Sequence, residues 1–557
     1  MRLNKLFDKN NEKKSVKFLV YLFFSFFLLV GIIIYKDYGL SIDEPFHRTT
    51  GHFWYYMLIS KFLPNLESLT TFKSYINEME WSYDFFDGKF NEYGPIFDLF
   101  SVLFEYLFNI TSAEQAYKLK HFLTFITFFT SGIFFYKIIN LRFENKIFTI
   151  LITFFYFSSP RIFAESFYNC KDIVFMSFCV LSIYYLLKSF EKTSLKNIIL
   201  FSLFSAIATQ IRVMGVQLIF LYLIFFLFEV LENKNYFKKY KLVFFVCFLS
   251  FFFFLILFWP FLWENPIANF VKIFFIFSNY HWNFDVFYLG KYVKASNLPW
   301  HYIPMWIFVS TPLMYIFFYI IGIFITGRSL FLNFLNLSET SDKKLWNEKN
   351  QKKDFLMFFY IFSPVFIIII FNSTIYGGWR HLYFIYPGLM YMFALSVNFI
   401  LNKLRSYKIK KIIYLLTMLF CINNIYILIK LHPYQNVYFN YVVEKKANRL
   451  FEIDYWGLAN HEAINYIINT EGLKKNISIR TASFTPLSYS KKILKENDTT
   501  KFQFDGTTNL NQDYVFTNYH YEKDPKFLKK YFIPKDYKKV FTIKRGNIII
   551  NEIYKKN

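Results

Sequence analysis

Cysteine is scarce in this 557-residue sequence. Its four cysteines lie in or beside apolar segments, and residues 431–557 contain none. Neither a disulfide framework nor a Cys-x-x-Cys metal site is therefore indicated. The sequence also lacks the arginine-rich stripe typical of nucleic-acid-binding proteins, which argues against a nucleic-acid partner despite a formal net charge of +24.

Two further signals are absent from the chain. No small-residue cleavage site follows the first apolar run, Phe18 to Tyr35, so this run is expected to remain as an uncleaved first helix. No internal repeat is visible, although many transporters carry one. This second absence argues against a transporter.

Apolar side chains are abundant instead. Hydrophobic residues make up 55% of the chain and aromatic residues 24%, and they occur in long blocks. Several blocks approach the roughly 20 residues that cross a hydrocarbon core, including 242–263 and 361–371. We therefore predict an α-helical polytopic membrane protein with about 11 to 13 transmembrane helices.

The connections between these blocks are alternately rich and poor in lysine and arginine. Loops rich in positive charge face the cytoplasm, which predicts a cytoplasmic N-terminus and a periplasmic C-terminal region in a bacterial inner (plasma) membrane. A weaker apolar segment, residues 95–110, contains Asp98 and Glu105, so we predict a re-entrant or juxtamembrane helix there. The eleven predicted spans are 18–35, 121–139, 147–159, 173–187, 197–210, 213–231, 242–262, 303–324, 355–373, 383–402 and 412–430.

The pattern changes after residue 430. Alternating segments at 476–480, 514–517 and 539–544 predict strands, and 461–470 predicts an amphipathic helix. Residues 431–557 should therefore form a small periplasmic α/β domain. Residues 1–430 should form a transmembrane catalytic domain, with residues 36–120 as its first periplasmic loop.

Acidic and basic residues gather in the connections predicted to lie outside. Arginine and lysine there suit a phosphate group, and a carboxylate suits a general base or a ligand of a divalent cation. Both functions are expected at a site that transfers a phosphate-linked group. The candidates are Asp43, Glu44 and Arg48 in YGLSIDEPFHRTTG, Glu92 before Tyr93-Gly94-Pro95, Lys171 and Asp172 in SPRIFAESFYNCKD, and Arg380 and His381 in YGGWRHLYFIYP.

The Asp-Glu pair just outside the first helix, the Glu-x-x-Pro stretch and the later Asp172 resemble the GT-C glycosyltransferases. The nearest branch is similar to the protein O-mannosyltransferase and aminoarabinose lipid A transferase superfamily. The resemblance covers the order of residues 15–430. It implies a GT-C-like fold and an inverting transfer of a sugar from a polyprenyl-phosphate donor to an envelope lipid, glycan or protein acceptor, with membrane lipids as surroundings.

The same resemblance implies roles for individual residues. Asp43 is expected to be the catalytic base, with Glu44, Glu92 and Asp172 beside it. Arg48, Lys171, Arg380 and His381 are expected to bind the substrate, and Asp43, Glu92 and Asp172 could hold a divalent cation such as Mg²⁺ or Mn²⁺. In the aminoarabinose branch a lysine follows the glutamate of this loop, whereas this chain has Tyr93, so that branch's substrate is not implied.

Two other functions stay open at this point. A transporter or lipid flippase would use Arg212, which stands in a short link between two predicted spans. A non-catalytic scaffold would present residues 431–557 to a partner. The scaffold would tolerate neutral residues at positions 43 and 92, whereas the transferase would not.

Overall fold

The computed structural model describes residues 9–557 apart from 279–281, 283, 338–344, 347, 473–475, 495–497, 499, 506–510 and 523. Parts of the predicted connections 263–302 and 325–354 lie outside these residues. The described part contains twenty α-helices. They are α1 (Lys9–Ile34), α2 (Glu44–Phe62), α3 (Leu69–Asn77), α4 (Ser82–Phe86), α5 (Ile96–Leu107), α6 (Ala113–Phe143), α7 (Lys146–Phe157), α8 (Pro160–Tyr168), α9 (Asp172–Glu191), α10 (Leu195–Ile211), α11 (Gln217–Glu232), α12 (Lys234–Phe258), α13 (Pro266–Ser278), α14 (Tyr302–Ser310), α15 (Leu313–Leu337), α16 (Lys349–Ile370), α17 (Tyr386–Lys403), α18 (Tyr407–Leu431), α19 (Ala447–Leu450) and α20 (Asn460–Glu471).

Nine segments of the described chain are long and apolar enough to cross a membrane. The bent pair α7 and α8 makes a tenth span if it is counted as one. The eleventh predicted span corresponds to α10, whose 17 residues extend about 26 Å. The expectation of a polytopic helical protein is thus confirmed, and every predicted span falls on a helix.

Prolines interrupt the helices at two places, at the end of the predicted span 147–159 and within the predicted span 303–324. The axes of α7 and α8 differ by 67° at Ser158-Ser159, just before Pro160. The predicted span 303–324 divides at Thr311-Pro312 into α14 and α15. Proline lacks an N–H donor and forces the preceding residue toward extended backbone, as the ψ angles of Ser159 and Thr311 show (118° and 141°).

The weaker apolar segment forms α5, which has 12 residues and is about 18 Å long. This length is too short to cross a hydrocarbon core. Its Asp98 and Glu105 are buried against α2 and α6, where basic side chains pair with them. A helix that does not cross agrees with the prediction for residues 95–110.

The C-terminal region contains a five-stranded sheet, and the three segments that were predicted as strands all lie in it. Its strands are β3 (Ile477–Thr481), β4 (Phe502–Asp505), β5 (Tyr514–Thr517), β6 (Tyr537–Arg545) and β7 (Ile548–Lys556), which follow a separate hairpin of β1 (Asp285–Tyr288) and β2 (Lys291–Lys294). The strand order is β4-β3-β5-β7-β6. Strand β3 is parallel to both of its neighbours, and β7 is antiparallel to both of its neighbours.

The C-terminal region lies on one end of the helical bundle. The N–H of Ile42 donates to the carbonyl of Trp456 at 3.0 Å. Lys492 forms an ion pair with Glu80 in the loop between α1 and α6. The segment after α1 is therefore held between the bundle and the C-terminal region, and this position fixes the residues that follow it.

Candidate active site

Four charged side chains meet at this end of the bundle. Arg380 Nη1 lies 3.1 Å from Asp43 Oδ2 and 3.3 Å from Asp172 Oδ2. Arg212 Nη2 forms an ion pair with the other oxygen of Asp172. The chain thus brings together residues that are up to 337 positions apart.

Asp43 and Asp172 each lie at the start of a helix. Asp43 is the N-cap residue of α2, and Asp172 is the first residue of α9. Asn169 holds Asp172 in place, since its side-chain oxygen accepts from the Asp172 N–H at 2.8 Å and its amide donates to Oδ2 at 3.2 Å. The positive end of a helix dipole favours a carboxylate at such a position.

Arg380 is held by aromatic rings. Its guanidinium carbon lies 5.0 Å from the ring centroid of Tyr376, 4.8 Å from that of Tyr455 and 4.9 Å from that of Trp456. Its Nη2 also donates to the Tyr455 hydroxyl at 3.0 Å. These contacts stabilise a buried cation by cation–π attraction.

The two glycines before Trp379 make this arrangement possible. Gly377 and Gly378 have φ angles of +65° and +74°, a region that residues with a side chain rarely adopt. A Cβ atom on Gly377 would also lie 3.0 Å from Nε of Arg380. The YGGWR stretch is therefore needed to bend the chain and seat the arginine.

Both guanidinium groups keep an unused donor. The Nε atoms of Arg380 and Arg212 are buried and have no hydrogen-bond acceptor in the part of the chain that the structure describes. Buried donors are usually paired, and an unpaired one requires an explanation. Two such donors suit a bound oxyanion.

Lys171 and His381 border this cluster, as their sequence positions predicted. Lys171 Nζ lies 4.1 Å from the ring centroid of Tyr93. Burial, and after it the charge of Arg212, lower the pKa of Lys171 to about 7. His381 is half-buried and packs edge-on against Tyr376 at 4.8 Å.

The two aspartates of the cluster differ in how far their side chains are exposed to solvent. The Asp43 side chain is 35% exposed, whereas that of Asp172 is 1% exposed and lies between two guanidinium groups. Asp43 alone of the two is open to a substrate. Asp172 is placed to orient Arg380 and Arg212.

Glu44 and Arg48 do not reach the cluster. Glu44 has no exposed surface, accepts the Ser41 N–H at 2.7 Å and lies 2.9 Å from His121. Arg48 is 7% exposed and binds Glu105 at 2.7 Å. Because they are four residues apart on α2, both point into the protein from one face of that helix. Their expected catalytic and substrate-binding roles are not supported by this placement.

Glu92 is bound by a lysine, whereas Asp43 and Asp172 are bound by arginines. Its carboxylate is paired with Lys272 of α13 at 3.1 Å. The expected cation ligands Asp43, Glu92 and Asp172 do not bring three ligand atoms within 4.8 Å of one another, and Arg380 lies between the two aspartates. These residues do not fit Mg²⁺ or Mn²⁺, which need converging oxygen ligands.

One other set of possible metal ligands occurs among the described residues. The ligand atoms of His47, Asp98 and Cys170 lie within 4.8 Å of one another. However, Lys120 Nζ donates to Asp98 at 2.8 Å, so a buried cation already neutralises this carboxylate. The set is part of the ionic contacts that join α2, α5 and α6.

From the sequence alone, Arg212 entered only the transport hypothesis and was not predicted to belong to this site. The same alternation of loops that predicted Asp172 and Arg380 to lie outside also places the link at residues 211–212 there. The predicted topology was therefore enough to place Arg212 on the same side of the membrane as Asp172 and Arg380. Asn169 and Tyr455, which position the charged residues, carry no such signal.

The fold and this cluster define a multi-pass membrane protein with an ionic site at one end of its helical bundle. No protein-family model matches the chain, and no curated protein matches it. Among solved structures, the chain is similar to the crystal structure of ArnT from Cupriavidus metallidurans bound to undecaprenyl phosphate, at 8% identity and a TM-score of 0.43. The match covers 96% of this chain and 97% of that chain. At this TM-score the similarity carries no functional argument.

Proposed function

We propose that this protein is a membrane glycosyltransferase of the GT-C type. It moves a hexose or pentose from a polyprenyl-phosphate donor to an envelope lipid, glycan or protein at the periplasmic face of the inner membrane. The observation that carries the proposal is an accessible carboxylate, Asp43, paired with Arg380, next to a second guanidinium group, Arg212, and the buried Nε atoms of both arginines are unused donors.

Asp43 acts as the general base. The acceptor oxygen or nitrogen attacks the anomeric carbon of the sugar, and its proton passes to the Asp43 carboxylate. The bond between that carbon and the phosphate oxygen breaks with its electron pair on the phosphate. Attack from the face opposite the phosphate inverts the anomeric centre, as the resemblance to GT-C enzymes implies.

The basic residues bind the donor phosphate and then the leaving phosphate. Lys171, Arg212 and Arg380 carry three positive charges when Lys171 is protonated, and Asp43 and Asp172 carry two negative charges, so the site has a net charge of +1. A sugar phosphodiester carries one negative charge and matches this value. Cations held in place before the reaction stabilise the charge that grows on the phosphate as the bond breaks. No step requires a divalent cation.

Transport is not favoured by a specific observation. Arg212, on which the transport hypothesis depends, pairs with Asp172 in the same cluster as Arg380.

Release of polyprenyl phosphate tests the transferase proposal. Purified protein is incubated with a panel of polyprenyl-phosphate sugars and cell-envelope extract as the source of acceptor. Wild type should release polyprenyl phosphate from one donor, and Asp43→Asn should lower the rate by about 100-fold or more, since general-base catalysis typically supplies that factor.

Asp37→Asn is the matched control. Asp37 lies in the same loop, and its side chain is 49% exposed and paired with His432 at the surface. This variant should keep the wild-type rate. An undiminished rate in Asp43→Asn would refute the assignment of the base, and an absence of turnover with every donor would refute the transferase proposal.

A further inference from the structure

A polar cavity lies at the end of the helical bundle that is opposite the candidate active site. It has a volume of about 540 Å³, is open to the surface, and is lined by the end of α6, the end of α15, the start of α16 and the end of α17. Helix α17 begins six residues after Arg380 and ends at Lys403 beside this cavity, and its 18 residues extend about 27 Å. The cavity is therefore separated from Asp43 by roughly the thickness of a hydrocarbon core.

The charges inside the cavity do not cancel. Arg142 makes a bidentate pair with Asp354 at 2.8 and 2.9 Å, and the Tyr391 hydroxyl donates to the same carboxylate at 2.6 Å. Lys403 and Arg405 also line the cavity, and neither has an ion-pair partner among the residues that the structure describes. These two side chains leave the wall with two uncompensated positive charges.

The remaining wall is half polar and half apolar. Hydroxyl and amide side chains provide hydrogen-bond donors, and the apolar side continues into side chains that face outward from the bundle. On α15 the neighbouring Phe324 and Phe331 are 68% and 61% exposed. The polar wall consists of Thr326, Ser329, Gln351, Asn398 and Asn402, and the apolar wall of Ile325, Phe355, Leu395 and Phe399.

We propose that this basal cavity binds the phosphate group of an anionic phospholipid from the membrane leaflet opposite the candidate active site. Basic pockets between transmembrane helices recognise anionic headgroups in this way. The uncompensated Lys403 and Arg405 meet the phosphate, and the amide and hydroxyl side chains meet its ester and headgroup oxygens. The apolar wall and the exposed phenylalanines of α15 favour a lipid over a free anion, because acyl chains can cover them. This site is independent of the sugar-transfer proposal.

Lipid titration of the full-length protein in neutral detergent tests the proposal. Native mass spectrometry measures apparent Kd values for dioctanoyl phosphatidylglycerol and dioctanoyl phosphatidylcholine, with inorganic phosphate as a competitor. Phosphatidylglycerol should bind more tightly than phosphatidylcholine. The Lys403→Gln/Arg405→Gln variant should raise the Kd for phosphatidylglycerol by about tenfold or more, because each basic residue at a membrane surface contributes attraction to anionic lipid.

Lys408→Gln/Lys411→Gln is the matched control. Both lysines are exposed and lie at the start of α18, outside the cavity lining, and the variant loses the same charge. It should keep the wild-type Kd. An equal rise in the Kd for phosphatidylglycerol in both variants would show that general surface charge causes the effect, and it would overturn the proposal. Equal Kd values for the two lipids in the wild-type protein would also overturn it. Displacement of phosphatidylglycerol by millimolar inorganic phosphate would overturn the choice of a lipid as the occupant.

Discussion

At the scale of single residues, water access distinguishes Asp43 from the other carboxylates near it. Its side chain is 35% exposed, compared with 1% for Asp172 and no exposed surface for Glu44. A base must meet its substrate directly, whereas a buried carboxylate between two arginines acts by holding them. The division of roles in the proposed reaction follows from this contrast.

Lys171 makes the proposed donor site sensitive to pH. Its pKa of about 7 lies below the ordinary lysine value, so the free site is positively charged at this residue below pH 7 and neutral above it. Because the donor phosphate binds the protonated form, kcat/KM for the donor should fall as the pH rises above about 7, by up to about tenfold per pH unit. Turnover measured between pH 6 and 9 at low donor concentration checks this prediction.

The variant Lys171→Arg tests whether Lys171, and not another titrating group, causes this fall in kcat/KM. Arginine keeps its charge across the whole range, so the alkaline fall in kcat/KM should disappear in this variant. A fall that persists unchanged in Lys171→Arg would show that another group causes it and that Lys171 does not bind the donor.

The candidate residues differ in how far the sequence could place them. Asp43, Asp172 and Arg380 were predicted correctly to lie at one end of the bundle, because positive charge in the connections sets which loops share a side. Glu44 and Arg48 belong to the same predicted loop as Asp43, but the rotation of α2 about its axis turns them inward. That rotation is decided by the packing of α2 on α5. The pairing of Glu92 with Lys272 could not be predicted, because Lys272 lies 180 positions later on α13.

At the scale of elements, α2 and α5 are joined by a buried ionic contact. Arg48 binds both oxygens of Glu105 and the Tyr75 hydroxyl, and His52 contacts the same carboxylate at 3.2 Å. Burial alone raises the pKa of Glu105, but the hydrogen bond from His52 and the charge of Arg48 lower it to about 2. This contact fixes α2 and so fixes Asp43 at its N-terminus.

Arg48→Met should therefore destabilise the protein rather than weaken donor binding. The change leaves the Glu105 charge buried with only a histidine beside it, which costs about 3–5 kcal/mol. Thermal unfolding in detergent should show a lower Tm. The donor KM of the remaining folded enzyme should stay close to that of wild type.

The double variant Arg48→Met/Glu105→Leu provides the comparison for this prediction. Removing both charges leaves no unpaired charge, although His52 and the Tyr75 hydroxyl each lose a partner, so part of the lost stability should return. An unchanged Tm with a raised donor KM in Arg48→Met would instead support the phosphate-binding role that the family resemblance implied.

At the scale of the whole molecule, the helices were more predictable than their breaks and partners. Long apolar runs gave the positions of all eleven predicted segments, since a membrane imposes one length and one composition. The breaks before Pro160 and after Thr311 were visible as prolines in the sequence but were not used. The order of the C-terminal strands depends on pairing between distant segments, such as β3 with β5, and no local pattern encodes it.

The orientation of the whole chain decides which leaflet supplies the donor. The candidate active site and the C-terminal sheet lie at one end of the bundle, and the loops rich in lysine and arginine are predicted to lie at the other. Lys530 is exposed in the C-terminal region, and Lys411 is exposed at the opposite end, so each can be replaced by a cysteine that serves as a label site. Three of the native cysteines, Cys170, Cys179 and Cys247, are buried, and Cys421 is half-buried.

A membrane-impermeant maleimide added to cells with a permeable outer membrane should label Lys530→Cys. It should label Lys411→Cys only after the inner membrane is opened, because positively charged loops are retained in the cytoplasm. Wild-type protein gives the background from Cys421. The reverse pattern would place Asp43 on the cytoplasmic side, where an outer-leaflet polyprenyl-phosphate sugar cannot reach it, and would contradict both the predicted topology and transfer at the periplasmic face.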